Sequence, residues 1–209
     1  MTKESGGFLK SVYRIGGSKD ARALYRDWAE SYESEIRANG YATPRRCAEA
    51  LASLTADKTA PLLDLGCGTG LSGEAFRAAG FTVIDGTDFT EEMLAVARRK
   101  PDLYRRLLLG DLSNPLPAAP GDYAQIAAVG VLSPSHAPPV LIGQVLSLLP
   151  PGGLFVFSLN DHTLAHPAFE QAIQDLTAAG DAELAFRAYG DHLPGQNLKA
   201  DVVVLRRPS

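Results

Sequence analysis

A chain of 209 residues, 45% hydrophobic and 21% charged, suits one globular domain burying roughly 70% of its unfolded surface, not a disordered segment. A formal net charge of −4 argues against a general nucleic-acid binder, whose affinity needs a basic face that releases counterions. Cys47 and Cys67 are too few for a disulfide framework and lack metal-ligand spacing, no apolar run approaches a membrane span, and the polar start lacks a signal-peptide core.

A cytoplasmic protein is expected by elimination, with no metal, membrane or nucleic-acid partner. The basic clusters Arg45-Arg46, Arg98-Arg99-Lys100, Arg105-Arg106 and Arg206-Arg207 fall at expected helix or strand ends and read as solvated faces.

In chain order, Ser18 or Asp20 can cap a helix that runs to about Ala38, where Asn39-Gly40 stops it. Tyr25, Trp28 and Tyr32, at i, i+3 and i+7, share one face of that helix. Thr43 reads as the cap of a second helix, with Pro44 at its first position and an end near Ala56. From Pro61 short apolar runs alternate with helical segments, the sequence form of a parallel sheet covered by helices. The runs are 62–65, 82–87, 106–109, 123–131 and 154–159, with helices at 71–79, 91–99, 139–149 and 167–179 between or after them. Two last runs, 183–189 and 199–206, have no helix between them and should pair antiparallel. Residues 1–57 are expected to form an N-terminal extension, and 58–209 the core.

Leu62-Leu63-Asp64-Leu65-Gly66-Cys67-Gly68-Thr69-Gly70 joins a buried strand to a helix through an abrupt glycine turn. Glycines permit positive φ and let a ligand approach the backbone, while the helix start presents unpaired N–H groups. Asp88 ends the next strand about twenty residues later, where an acid can accept from ribose hydroxyls. Together they point to a nucleoside cofactor. A dinucleotide fits less well, because Leu71 stands where the third glycine of G-x-G-x-x-G would lie, which counts against an NAD(P)-dependent reductase.

These residues resemble the class I S-adenosylmethionine (SAM)-dependent methyltransferases. The segment 64–70 is similar to that family's first motif, Gly86-Thr87-Asp88 with Glu92-Met93-Leu94 to its second, Gly110-Asp111-Leu112 to its third, and Leu149-Pro150-Pro151-Gly152-Gly153 to the turn before its fifth strand. A narrower resemblance, to the Williams–Beuren-region methyltransferase-like proteins, rests on 25–33, Gly40-Tyr41, Pro44, Val129-Gly130-Val131-Leu132-Ser133 and His136-Ala137-Pro138. The resemblance implies an α/β, Rossmann-like class I methyltransferase fold. Its sheet would have seven strands, mostly parallel with one antiparallel, with helices on both faces and an N-terminal helical lid.

It also implies site roles. Gly66, Cys67, Gly68 and Gly70 would line the methionine and ribose part of SAM, with Asp64 near its amino group. Asp88, with Phe89 beside it, would hold the ribose hydroxyls, and Asp111 and the Leu112 N–H the adenine. Gly130 would lie near the sulfonium. Met93 reads as a core residue of its helix. Tyr25 and Tyr32, on the aromatic face of the lid, could reach the methionine carboxylate, although the same face could simply pack the helix on the domain.

Methyl transfer from a sulfonium is a displacement that needs alignment first, and a base only if the acceptor must lose a proton. His136, in the loop after the fourth strand, is the candidate catalytic residue; Asp161, His162 and His166 are weaker candidates, with capping, surface or structural roles expected. The fourth-strand end lacks the Asn/Asp-Pro-Pro-Tyr/Phe pattern of base and glutamine amino methylation, and neither cysteine suits a covalent nucleophile. The expected activity is methyl transfer to an O, N or C atom of a small molecule, leaving S-adenosylhomocysteine, by a monomer or homodimer. The alternative is a non-catalytic SAM-binding regulator or partner subunit.

Overall fold

The structure, a computed structural model, describes residues 18–112, 115–134 and 137–209; the reading of the polar start falls outside them. Two helices come first, α1 (Ser18–Ala38) and α2 (Thr43–Leu54). Then follow β1 (Leu62–Leu65), α3 (Leu71–Ala78), β2 (Ile84–Asp88), α4 (Glu91–Arg98), β3 (Arg106–Leu109) and β4 (Gln125–Ala128). The chain continues with α5 (Val140–Leu148), β5 (Leu154–Asn160), a short α6 (Asp161–Leu164), α7 (Pro167–Ala178) and β6 (Glu183–Leu193). It ends with a 3-10 turn (Pro194–Gln196) and β7 (Leu198–Arg206). No helix among the described residues is long and apolar enough to cross a membrane.

The seven strands form one sheet in the order β3-β2-β1-β4-β5-β7-β6. Strands β1 to β5 pair in parallel, and only β7 is reversed, antiparallel to both β5 and β6. This is the class I Rossmann-like fold the sequence leads one to expect. Its physical basis is burial. Strands β1 and β4 are buried at every position, as a sheet covered on both faces requires. Alternation along β1 divides the core: Leu63 and Leu65 join the cluster of Leu141, Val145, Phe169 and Ile173 on α5 and α7. Leu62 faces the other way, with Leu51 of α2 and Phe76 of α3. The chain winds outward from β1 to β3, then returns to place β4 on the other side of β1. Such a reversal leaves a crevice at the carboxyl ends of the strands.

Several local expectations change. Thr43 does not cap α2; Ala42 does, because the Thr43 hydroxyl is committed to the His192 ring 2.7 Å away. The fourth strand stops at Ala128, since 129–131 turn out to line a cavity. Helix α6 directly follows β5 without a loop, with the Asn160 side chain accepting from Thr163 N–H. Strand β6 runs four residues past Tyr189, held by β7 across a bulge.

The basic clusters are not simply solvated faces. Arg46 donates to the carbonyls of Ala188, Asp191 and Ala200, clamping the β6–β7 hairpin to α2. Arg207 donates to the carbonyls of Ser147 and Leu149. Arg105 and Arg106 both reach Asp85, whose side chain is fully buried, and the Tyr123 hydroxyl donates to it at 2.8 Å. Long side chains can lay an aliphatic stem on the surface and still place the guanidinium on a fixed acceptor.

Burial pushes the Asp85 carboxyl upward, but hydrogen bonds from Arg105, Arg106 and Tyr123 outweigh it and hold it well below the usual carboxylate range. A depressed carboxyl stabilises the fold above its unfolded pKa of about 4, and that contribution is lost as the pH falls further. We expect Asp85→Asn to cost about 2 kcal/mol in urea unfolding at pH 7. Between pH 4 and 2 the wild type should lose stability that the variant no longer has to lose. Parallel pH profiles for the two proteins would show that Asp85 does not carry this dependence.

Candidate functional site

The crevice is built around the turn after β1. Gly66 and Gly68 have φ of +67° and +53°, and Gly70, at +96°, starts α3. A Cβ on Gly66 would come within 2.5 Å of Val131 Cγ2, whereas one on Gly68 would meet nothing within 4 Å. Gly66 is therefore required by packing, and Gly68 by backbone conformation alone. The turn is tied to its neighbour strand twice. Cys67 N–H donates to the Thr87 carbonyl at 2.9 Å, and Gly68 N–H to Asp88 Oδ2 at 3.0 Å. The other Asp88 oxygen accepts from Thr90 N–H at 2.9 Å, so Asp88 holds the turn and the start of α4 together. Burial pushes its carboxyl up to about 6 despite these bonds.

Behind the turn, Asp64 is fully buried and accepts through Oδ2 from the hydroxyls of Ser72 (2.6 Å) and Tyr104 (2.8 Å). Its Oδ1 has no partner, and burial pushes the carboxyl up to about 7. The Thr87 hydroxyl is likewise buried without a partner, while the Thr69 and Thr90 hydroxyls lie beside the Glu33 and Asp88 carboxylates. A further unpaired atom, Gln125 Oε1, lies away from the turn at the start of β4.

A cavity of about 380 Å³ opens over the carboxyl ends of the strands. Gly66, Gly68, Asp88, Phe89 and Asp111, from the ends of β1, β2 and β3, line it. Gly130, Ser133, Asn160, Thr163 and His192, from beyond β4, from β5 and α6 and from β6, line it as well, with the exposed His162 and His166. Tyr25, Trp28 and Tyr32 of α1 contribute the aromatic wall. Trp28 stacks on Tyr25 (5.9 Å) and meets Tyr32 edge-on (4.7 Å), while Tyr25 meets Phe89 edge-on at 6.0 Å. A recess of about 30 Å³ adjoins it, lined by Cys67, Thr69 and Ser72 together with Tyr32 and Tyr41.

Helix α1 is held in two ways. Ion pairs join Glu30 to Arg99, Glu33 to Lys100 and Arg37 to Glu74. Such exposed or half-exposed pairs contribute about 0–1 kcal/mol each. Trp28 and Ile36, nearly fully buried with Leu193, are worth about 1.5–3 kcal/mol apiece, so packing dominates.

Of the residues singled out from sequence, Tyr25, Tyr32, Gly66, Gly68, Asp88, Phe89, Asp111, Leu112 and Gly130 share the main cavity. Met93 is both core and cavity wall. Cys67 reaches only the recess, and Asp64 and Gly70 line neither space. His136 lies outside the described residues. Asp161 is occupied, accepting from Tyr189 O–H and Lys199 N–H, and so fastens β6 and β7. Among the described residues no group of three or more His, Cys, Asp and Glu is placed to hold a metal. Sequence reasoning missed His192 on the cavity wall, Tyr41 beside it, and Tyr104 behind the turn. The Gly40-Tyr41 pair was visible as a motif; His192 carried no local signal, since its partner Thr43 lies 149 residues away.

Comparison with known proteins agrees with this architecture. A family model described as a methyltransferase domain matches residues 35–200. Human methyltransferase-like protein 27 is 32% identical over 193 residues, covering 86% of this chain and 78% of the relative. Trans-aconitate 2-methyltransferase of Delftia acidovorans is 33% identical over 174 residues, covering 76% of this chain and 63% of that protein. The solved structure of magnesium protoporphyrin IX methyltransferase from Synechocystis PCC 6803, with bound SAM, covers 99% of this chain at a TM-score of 0.61, and the match spans 100% of that chain. At 17% identity that likeness speaks for the fold alone. With a family match across most of its length and a glycine turn opening onto a strand-end cavity, the chain belongs to the methyltransferase-domain family and has the class I SAM-dependent methyltransferase fold.

Proposed function

We propose that this chain transfers a methyl group from SAM to an O, N or C atom of a small molecule by direct displacement. The observation that carries this reading is one cavity lined both by the glycine turn and by residues after β4 and β5 and in β6. In its bound form SAM supplies a methyl group already activated on a sulfonium. The residues fit such a group. Open space over Gly68 admits a ligand to the backbone. Asp88, which accepts from Gly68, Thr90 and Phe89, lies on the cavity wall where ribose hydroxyls would reach it. Asp111 and the Leu112 N–H would take the adenine, and Gly66 and Gly68 the amino-acid end, with Asp64 behind them. The aromatic wall of α1 offers a cation–π surface worth about 0.5–2 kcal/mol to a sulfonium.

In this reading α1 acts as a lid over the core, while α2 is built into the core through Cys47 and Leu51. The chain's own contribution to rate is alignment and exclusion of water. A small acceptor is favoured because α1 covers the cavity, leaving little room for a macromolecular surface. The protein is incubated with methyl-labelled SAM and a metabolite extract. Label in the small-molecule fraction supports transfer; SAM bound without transfer would instead favour a non-catalytic regulator or partner subunit.

Two mutational outcomes are expected. Asp88→Ala should weaken SAM binding by about 1–3 kcal/mol in calorimetry, the usual loss for hydrogen bonds to a charged acceptor. Unchanged affinity in a folded variant would remove Asp88 from the site. Gly66→Ala should lower stability by more than the roughly 1–2 kcal/mol of left-handed backbone strain, because its methyl group meets Val131. Gly68→Ala should show the strain alone, yet lose more SAM affinity than stability. Equal effects of the two substitutions on melting and on binding would contradict this division of labour.

A further inference from the structure

Strands β6 and β7 shift register between Asp191 and Leu193, which makes His192 the extra residue of a β-bulge. Bulges re-aim a side chain and are frequent beside active sites. Here the strand's alternation ends, and His192 and Leu193 are buried in succession. The His192 ring, 4% exposed, forms part of the cavity wall.

Its orientation is fixed from the corner between α1 and α2. Nδ1 lies 2.7 Å from Thr43 Oγ1, the His192 carbonyl accepts from Ala42 N–H at 3.0 Å, and the Tyr41 ring meets it edge-on at 5.3 Å. Tyr41 in turn sits on the end of β4: a Cβ added to Gly130 would lie 2.5 Å from its hydroxyl oxygen. One tyrosine therefore separates the imidazole from Gly130, where the cofactor half of the cavity ends. With Nδ1 engaged by Thr43, Nε2 is the ring atom left for a ligand. Burial draws the imidazole down to about 4, against the opposing pull of Asp161, so the ring is neutral at ordinary pH.

The charge of the walls restricts the ligand. Among the described residues that line the cavity there is no Lys or Arg, while Asp88 and Asp111 bring negative charge. A carboxylate acceptor would find no guanidinium or ammonium there, only the exposed His162 and His166. An ammonium would find only a neutral imidazole at this end. A neutral hydroxyl satisfies Nε2 at no charge cost.

We propose that His192, through Nε2, holds the hydroxyl of an uncharged small-molecule acceptor, which makes neutral hydroxyl compounds the substrate class of this site. The inference rests on the methyltransferase reading above. Phenol is the probe, being a compact neutral hydroxyl compound with a ring to lie against Tyr41 and Leu193, and it is titrated into protein saturated with S-adenosylhomocysteine.

Phenol should bind in the millimolar range or tighter, shift the His192 Nε2 resonance in nitrogen NMR, and bind at least fivefold more weakly to His192→Ala. His192→Gln, which can present an acceptor at a similar reach, should recover part of that loss. If His192→Ala melts, the resonance shift in wild-type protein still decides. An Nε2 resonance that does not move, phenol affinity unchanged in a folded His192→Ala, or tighter binding of trans-aconitate than of phenol would overturn the proposal. Loaded protein that binds no phenol would also overturn it while leaving the methyltransferase reading intact. Failure to bind S-adenosylhomocysteine at all would remove both.

Discussion

One carboxylate, that of Asp88, joins the ends of two adjacent parallel strands by accepting from Gly68 N–H and Thr90 N–H. The glycine turn has three positive-φ residues in five positions and few side-chain atoms of its own to hold its shape. An external acceptor must therefore set its conformation, and the neighbouring strand end supplies it. The same carboxylate remains on the cavity wall, so the group that shapes the turn also faces whatever the turn receives. One carboxylate thus both holds the turn and lies on the cavity wall.

A second constraint works from the far side of the molecule. The corner after α1 is stitched to the β6–β7 turn: Ala42 N–H donates to His192, Gly195 N–H to Asn39, and the Thr43 hydroxyl meets the His192 ring. Arg46 adds three carbonyl contacts along the same hairpin. Segments from opposite ends of the chain thus form one wall of the cavity. Helix α1 extends from that anchored corner over the strand ends. Its far half is held by Trp28 packing and by ion pairs of small individual worth, so the anchored corner is the firmer of its two attachments.

The relation between burial and charge differs across the molecule. Asp85 is buried against two guanidinium groups and a phenol, and stays ionised because one donor reaches Oδ1 and four reach Oδ2. Asp64 is buried with hydroxyl partners on one oxygen only, and its carboxyl is pushed upward. The first is a donor-rich network at the amino end of β2 and serves stability. The second leaves an unsatisfied atom directly behind the glycine turn, an arrangement a ligand-binding site tolerates better than a core does.

The seven strands, the single reversed strand and the glycine turn with its partner acid were legible in the chain itself, whereas the order of the strands across the sheet was not. Each rests on local pattern: apolar runs of strand length, a glycine turn between strand and helix, and an acid at the end of the next strand. Helix and strand ends were less legible, because Thr43, Asn160 and His192 answer to partners distant in sequence or to a bulge rather than to propensity. Arg45, Arg98 and Arg99 are the exposed side chains the sequence suggests, but Arg46, Arg105, Arg106 and Arg207 hold carbonyls or a carboxylate that nothing beside them announces. By itself the sequence determined where the glycine turn and the acid that holds it lie, because both are made within two βα units. Tertiary structure alone decided what stands opposite them, because a wall assembled from residues 41–43, 130 and 192 exists only after the sheet has closed and β6 has bulged.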